Sequence, residues 1–148
     1  GTKIISNQGW INPDGAAERI VHWLRVHGAQ GVKVAAVNGS LITNQVLELT
    51  DTILENGKPT KSLKDQIVSA EVYLGAQPIV QALRDGAHIV VTGRIADPSI
   101  FAAPMMFEFG WGMEDYTRLG FASPWLAPCV GSSASDSSSV PTAGDARW

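Results

Sequence analysis

A chain of 148 residues, 45% apolar and 17% charged, is long enough for one domain around a single core and too apolar for a disordered segment. Its net charge of -3, with eleven scattered basic residues, supplies no clustered Lys/Arg surface for a nucleic-acid backbone. Cys129 is the single cysteine, which excludes an intrachain disulfide and a cysteine-rich metal centre; with no long apolar run and no basic-then-apolar leader, a soluble, cytoplasmic protein is expected.

Residues 3–6, KIIS, form a short apolar run closed by the turn formers Asn7, Gly9, Asn12 and Pro13, which predicts a buried strand entering a loop. From Pro13 the period changes. Ala16, Ala17, Ile20, Trp23, Leu24 and His27 recur at helical spacing, Asn12 can cap that helix, Pro13 suits its first position, and Gly28 and Gly31 end it. VKVAAV, 32–37, is apolar on both faces, as a strand buried in a parallel sheet must be. Val46, Leu47, Leu49, Thr50, Ile53 and Leu54 then predict a second helix closed by Asn56-Gly57 and Pro59, and 58–69 reads as a polar connection.

The clearest unit is YLGAQPIVQALRDGAHIVVTG, 73–93: a helix from near Pro78 to Gly86, then at once a strand over 88–92. PSIFAAPMMFEFGW reads as helical from Pro98, with Pro104 expected to kink or shorten it. The alternation predicts an α/β fold: a short parallel sheet flanked by helices, three-layered and Rossmann-like, over residues 1–120. Residues 121–148, with a Ser-rich run from 132 to 139, have no periodicity and predict an irregular tail, docked if at all by Trp125 or Trp148.

In open parallel sheets ligands bind beyond the carboxyl ends of the strands, which directs attention to SNQGWINPDG, NGS and TGRIADPS. Arg94 follows the third strand, where a guanidinium can meet a carboxylate, phosphate or thioester oxygen; the alternative is a surface ion pair with Asp97 or Glu108. Asp97 precedes Pro98, the preferred pairing for a helix cap, and can also orient Arg94. Asn7, Gln8, Asn12 and Asp14 offer polar groups for a carbonyl or hydroxyl, unless the Asn side chains only bond their own turn. Arg94 and Asp97 are thus the candidate catalytic residues, and Asn7, Asn12, Gly93 and Tyr73 the candidate substrate-binding residues.

Tyr73 and Glu71 could supply a proton donor and a base, or stand as a packed aromatic and a solvated carboxylate. His22 and His27 fall within the first helix and His88 at the wrong end of its strand; no histidine spacing suggests zinc, so no metal site is expected. Cys129, without a partner histidine, reads as a spectator. Neither a dinucleotide fingerprint nor a P-loop is present, and no cofactor is expected.

SNQGWINPDGAAERI, EVYLGAQPIVQALRDGAHIVVTGRIADPSI and EFGW, in this order over residues 3–119, resemble the acyclic terpene utilisation family. The resemblance implies a place near pathways that degrade citronellol and geraniol through acyl-CoA intermediates, and Arg94, Asp97, Asn7 and Asn12 fall within its most recognisable motifs. It also implies a longer domain than this chain carries, and a small residue where this chain has Trp10, which would crowd a ligand. An incomplete sheet should expose apolar edges and faces, so a homo-oligomer, or a partner chain that completes the layer, is expected. The functional expectation is an enzyme of lyase, hydratase, isomerase or cyclase type acting on a terpenoid or branched acyl or acyl-CoA substrate; the alternative is a non-catalytic ligand-binding or partner-subunit module.

Overall fold

The computed structural model of the protein describes residues 1–49, 53 and 57–120. Three parallel strands, β1 (Ile4–Ser6), β2 (Val34–Val37) and β3 (Ile89–Thr92), form one open sheet in the spatial order β1-β3-β2. Helix α1 (Pro13–Val26) connects β1 to β2; α2 (Thr43–Glu48), a 3-10 turn at Thr60–Leu63 and α3 (Gln77–Arg84) connect β2 to β3; α4 (Asp97–Phe109) follows. The chain is α/β, as its alternation of periods predicts.

The last strand in sequence takes the middle of the sheet because IVVT can be buried on both faces. Ile5 and Ala35 flank Val90, while Ser6 and Ala36 flank Val91. Since side chains alternate along a strand, Val90 and Thr92 face one side and Val91 the other. The connection through α1 steps outward from β1 to β2, and the one through α3 steps back to β3. Two right-handed crossovers running in opposite directions lie on opposite faces, which gives the helix-sheet-helix layering.

The core sits on the α3 and α4 side. Ile79, Val80 and Leu83 of α3 and Ala103 and Met106 of α4 close over Val37, Val90 and Ile95, with Ile79, Val90 and Ile95 fully buried. The α1 side is thinner: Pro13 is the one buried residue of that helix. Ile4 on edge strand β1 and Trp23 and Val26 on α1 stay largely exposed.

Sequence expectation and structure part at the second helix. The second helix, expected over 46–54, is Thr43–Glu48, and Leu49 is already extended. Its start is pinned from outside, because the Ala70 N–H donates to Thr43 Oγ1 (3.0 Å) and the Ile42 N–H to the Ala70 carbonyl (2.9 Å). Beyond it the Ile53 N–H donates to the Lys58 carbonyl (2.8 Å), and the rest of the expected helix, residues 50–52 and 54, lies outside the described residues. At α4 the helix runs through Pro104 without ending. A proline there removes one backbone bond, and its neighbours Ala103 and Met106, both buried against α3, hold the helix together across the gap.

Among the described residues no helix is long and apolar enough to cross a membrane. The expected tail at 121–148, with Cys129, Trp125 and Trp148, lies outside the described residues. Ile79→Ala should lower stability by about 3 kcal/mol, the usual cost of a cavity at a fully buried aliphatic position, with an unchanged denaturant slope; a loss under about 1 kcal/mol would place the core elsewhere.

Candidate functional site

Three loops leave the carboxyl ends of the strands and meet at β3. The Gly9 N–H donates to the Thr92 carbonyl (3.0 Å), the Gly93 N–H to the Val37 carbonyl (3.2 Å) and the Arg94 N–H to Ser40 Oγ (3.1 Å). Each bond joins one strand-exit loop to another. The approach is close enough to require glycine at both contact points. A Cβ on Gly9 would stand 2.7 Å from the Thr92 carbonyl oxygen, and one on Gly93 would overlap Ser40 Oγ and stand 2.9 Å from the Trp10 carbonyl oxygen.

Between these loops runs an extended segment, residues 70–74. The Val72 N–H donates to the Ser40 carbonyl (2.8 Å), the Leu74 N–H to the Arg94 carbonyl (3.3 Å), and the Ala96 N–H returns to Leu74 (2.9 Å). Leu41 bridges Glu71 antiparallel and Leu74 bridges Ile95 in parallel, so the segment is stitched to two exit loops at once. Extended backbone places alternate side chains on the same side. Glu71 and Tyr73 therefore both turn toward Arg94.

Arg94 Nε stands 3.5 Å from Glu71 Oε2, with side-chain exposures of 38% and 13%. The guanidinium carbon lies 4.8 Å from the Trp10 ring centre and 5.6 Å from that of Tyr73. A cation against an exposed ring contributes about 0.5–1 kcal/mol, so two rings and one carboxylate fix the orientation of the head group. Trp10 is held in the left-handed region, φ 46°, by the turn in which the Asn12 N–H donates to the Gly9 carbonyl (2.9 Å). For a non-glycine residue this conformation costs about 1–2 kcal/mol, and it delivers the indole to Arg94. Trp10 stays 60% exposed, with its ring beside the guanidinium.

Asn7, Gln8, Trp10, Glu71 and Arg94 line a cavity of about 200 Å³. Among the described residues Glu71 is the only acidic group paired with Arg94, and Glu71 Oε1 is buried with no hydrogen-bond partner. Buried acceptors are normally satisfied, and an orphan costs about 1–3 kcal/mol. A larger cleft of about 620 Å³ runs along the free edge of β2 against Pro78, Gln81 and Asp85. The smaller cavity is the one that lies at the strand-exit loops and includes Arg94, and it is the candidate site.

The structure brings Arg94, Asn7, Tyr73 and Gly93 to one place and leaves Asn12 and Asp97 at its margin. Asn12 Oδ1 accepts from the Gly15 N–H (2.9 Å) and caps α1, as its place before Pro13 predicts. Asp97 is exposed and is the first residue of α4 rather than its cap; Ala96 holds the cap position, with no side-chain bond. Asp97 stands in the first turn of α4, where a negative charge is favourable to the helix dipole. The ion pair expected for Arg94 with Asp97 or Glu108 is made with Glu71.

Ser40 carries no motif, yet it is buried and ties the second loop to Arg94. The signal for Glu71 was its spacing of two from Tyr73 in AEVYLG. Two of the three histidines bond to backbone: His88 Nδ1 accepts from the Lys33 N–H (3.0 Å), and His27 Nδ1 donates to the Trp23 carbonyl (2.8 Å). Gly93→Ala should destabilise the fold by about 2 kcal/mol or more through overpacking against Ser40 and Trp10, and should shift the Arg94 Nε resonance; a variant as stable as the parent, with an unmoved resonance, would contradict the close approach.

Residues 1–124 match the model of the family described as acyclic terpene utilisation family protein AtuA. The match spans every element of the fold, the three exit loops and the 70–74 segment, and extends past Leu119. No curated protein and no solved structure matches the chain at a significant level. Matched over most of its length, with its recognisable motifs forming the walls of one site, the chain belongs to the acyclic terpene utilisation (AtuA) family.

Proposed function

We propose that the protein is an enzyme of lyase, hydratase, isomerase or cyclase type acting on a terpenoid or branched acyl substrate, with the cavity at Arg94 as its active site. The observation that carries this reading is the position of Arg94: at the end of the central strand, oriented by Glu71 and two aromatic rings, and open to a cavity shared with Asn7 and Gln8. A guanidinium so held can stabilise negative charge developing on a carbonyl oxygen without reorganising. Asn7 can hydrogen-bond the same oxygen or its neighbour. The family to which the chain belongs is that of acyclic terpene utilisation, which supports a substrate with a branched hydrocarbon chain.

The cavity, at about 200 Å³, is smaller than typical ligand pockets of about 300–1,000 Å³ and accommodates a head group. The hydrocarbon part of a larger substrate would then lie across the exposed faces of Trp10 and Tyr73. In this reading Glu71 holds Arg94 in place, the task that the sequence alone assigns to Asp97. The exposed apolar groups at Ile4, Trp23 and Val26 support self-association that would cover the β1 edge and the outer face of α1.

Arg94→Ala should lower kcat/KM by about 100-fold or more, the usual effect of removing an oxyanion donor, whereas Asp97→Asn should change it by less than about threefold, since an uninvolved carboxylate contributes no proton transfer. Equal turnover in Arg94→Ala and the parent would overturn the assignment; ligand binding lost in Arg94→Ala, with no turnover in the parent, would favour a non-catalytic binding module. Sedimentation of the full chain should show a dimer or larger species, and a monodisperse monomer would contradict the self-association.

A further inference from the structure

The orphaned oxygen of Glu71 and the charge balance of its pocket restrict the chemistry of the ligand. The inference rests on the reading of the cavity as the substrate site, and it deepens that reading. Glu71 is one of the residues that line the cavity; as a carboxylate it is an acceptor only, its Oε2 faces Arg94, and its Oε1 is buried without a hydrogen-bond partner. A ligand that supplies a donor to that oxygen removes the cost of leaving it unpaired, and one without a donor does not. Arg94 poses the complementary demand: its guanidinium carries donors beyond the Nε that faces Glu71, and among the described residues no other side chain accepts from them.

The charges in the pocket cancel. Arg94 contributes one positive and Glu71 one negative charge, and Asn7, Gln8 and Trp10 are neutral. A carboxylate ligand would have to share a guanidinium already paired and would face Glu71 across a small cavity. We propose that the pocket takes a neutral head group carrying a hydroxyl beside a carbonyl: the hydroxyl donates to Glu71 Oε1 and the carbonyl oxygen accepts from Arg94. The substrate class is then a branched β-hydroxy ketone or β-hydroxy thioester rather than a free acid.

Three probes of nearly matched size separate these demands in a titration of the full chain, followed by the Trp10 indole and Asn7 side-chain amide signals in NMR. Diacetone alcohol has both groups, methyl isobutyl ketone lacks the hydroxyl, and β-hydroxyisovalerate replaces the neutral ketone by a carboxylate. The expected order has diacetone alcohol binding about tenfold or more tightly than either of the others, because a built acceptor left unpaired penalises the analogue that lacks the donor. Glu71→Leu removes the acceptor and should bring alcohol and ketone to within about threefold. Glu71→Gln removes the charge and should raise the affinity of β-hydroxyisovalerate above its affinity for the parent chain.

Equal binding of alcohol and ketone by the parent, tighter binding of the carboxylate, or no response of the Trp10 and Asn7 signals to any probe would overturn the proposal. The parent ranking needs no variant to fold. If that ranking fails while Arg94→Ala still abolishes turnover, the assignment of Arg94 stands and the inference about Glu71 alone is lost.

Discussion

The site depends on a backbone approach that admits no side chain. β3 ends at the middle of the sheet, and the loops from both neighbouring strands close over its last residues through Gly9 and Gly93, each with backbone or a buried hydroxyl where a Cβ would stand. Three chain segments then share one set of hydrogen bonds, and Arg94 is the first residue beyond that junction with room for a side chain. Its backbone is bonded on both sides, by Ser40 and by Leu74, before its guanidinium meets anything. The position of the charge is thus set by the sheet.

From that junction the chemistry follows in short steps. The segment stitched beside β3 alternates its side chains and presents Glu71 and Tyr73 together, and the first loop turns at a left-handed Trp10 to present an indole. Arg94 is left with an acidic partner, two aromatic walls and a small polar cavity. One carboxylate oxygen is left with no partner in a buried place, which is a stabilising arrangement only when something binds there.

Much of this was legible in the sequence because it is written in local periods. The strand, helix and turn signals around Pro13, Gly28, Pro78, Gly86 and IVVT each depend on neighbours a few residues away, and the α/β order follows from them. Asn12 before Pro13 declared its cap in the same way. The failures share a different origin. The start of the second helix was decided by contacts with a segment distant in sequence, at Ala70. Asp97-Pro98 has the composition of a cap, yet Ala96 holds the cap position of α4. Glu71 and Ser40 matter through partners 23 and 54 residues away, as their pairing with Arg94 shows, and no local pattern encodes such distances.

The central claim, that the converging strand-exit loops build a head-group site between Arg94 and Glu71, is tested most directly by a crystal structure of the full chain with diacetone alcohol. The account predicts ligand density in the cavity beside Asn7 and Trp10, with the hydroxyl within hydrogen-bond distance of Glu71 Oε1 and the carbonyl oxygen against the Arg94 guanidinium. Density in the cleft along the free edge of β2, with the Arg94 cavity holding solvent alone, would contradict it.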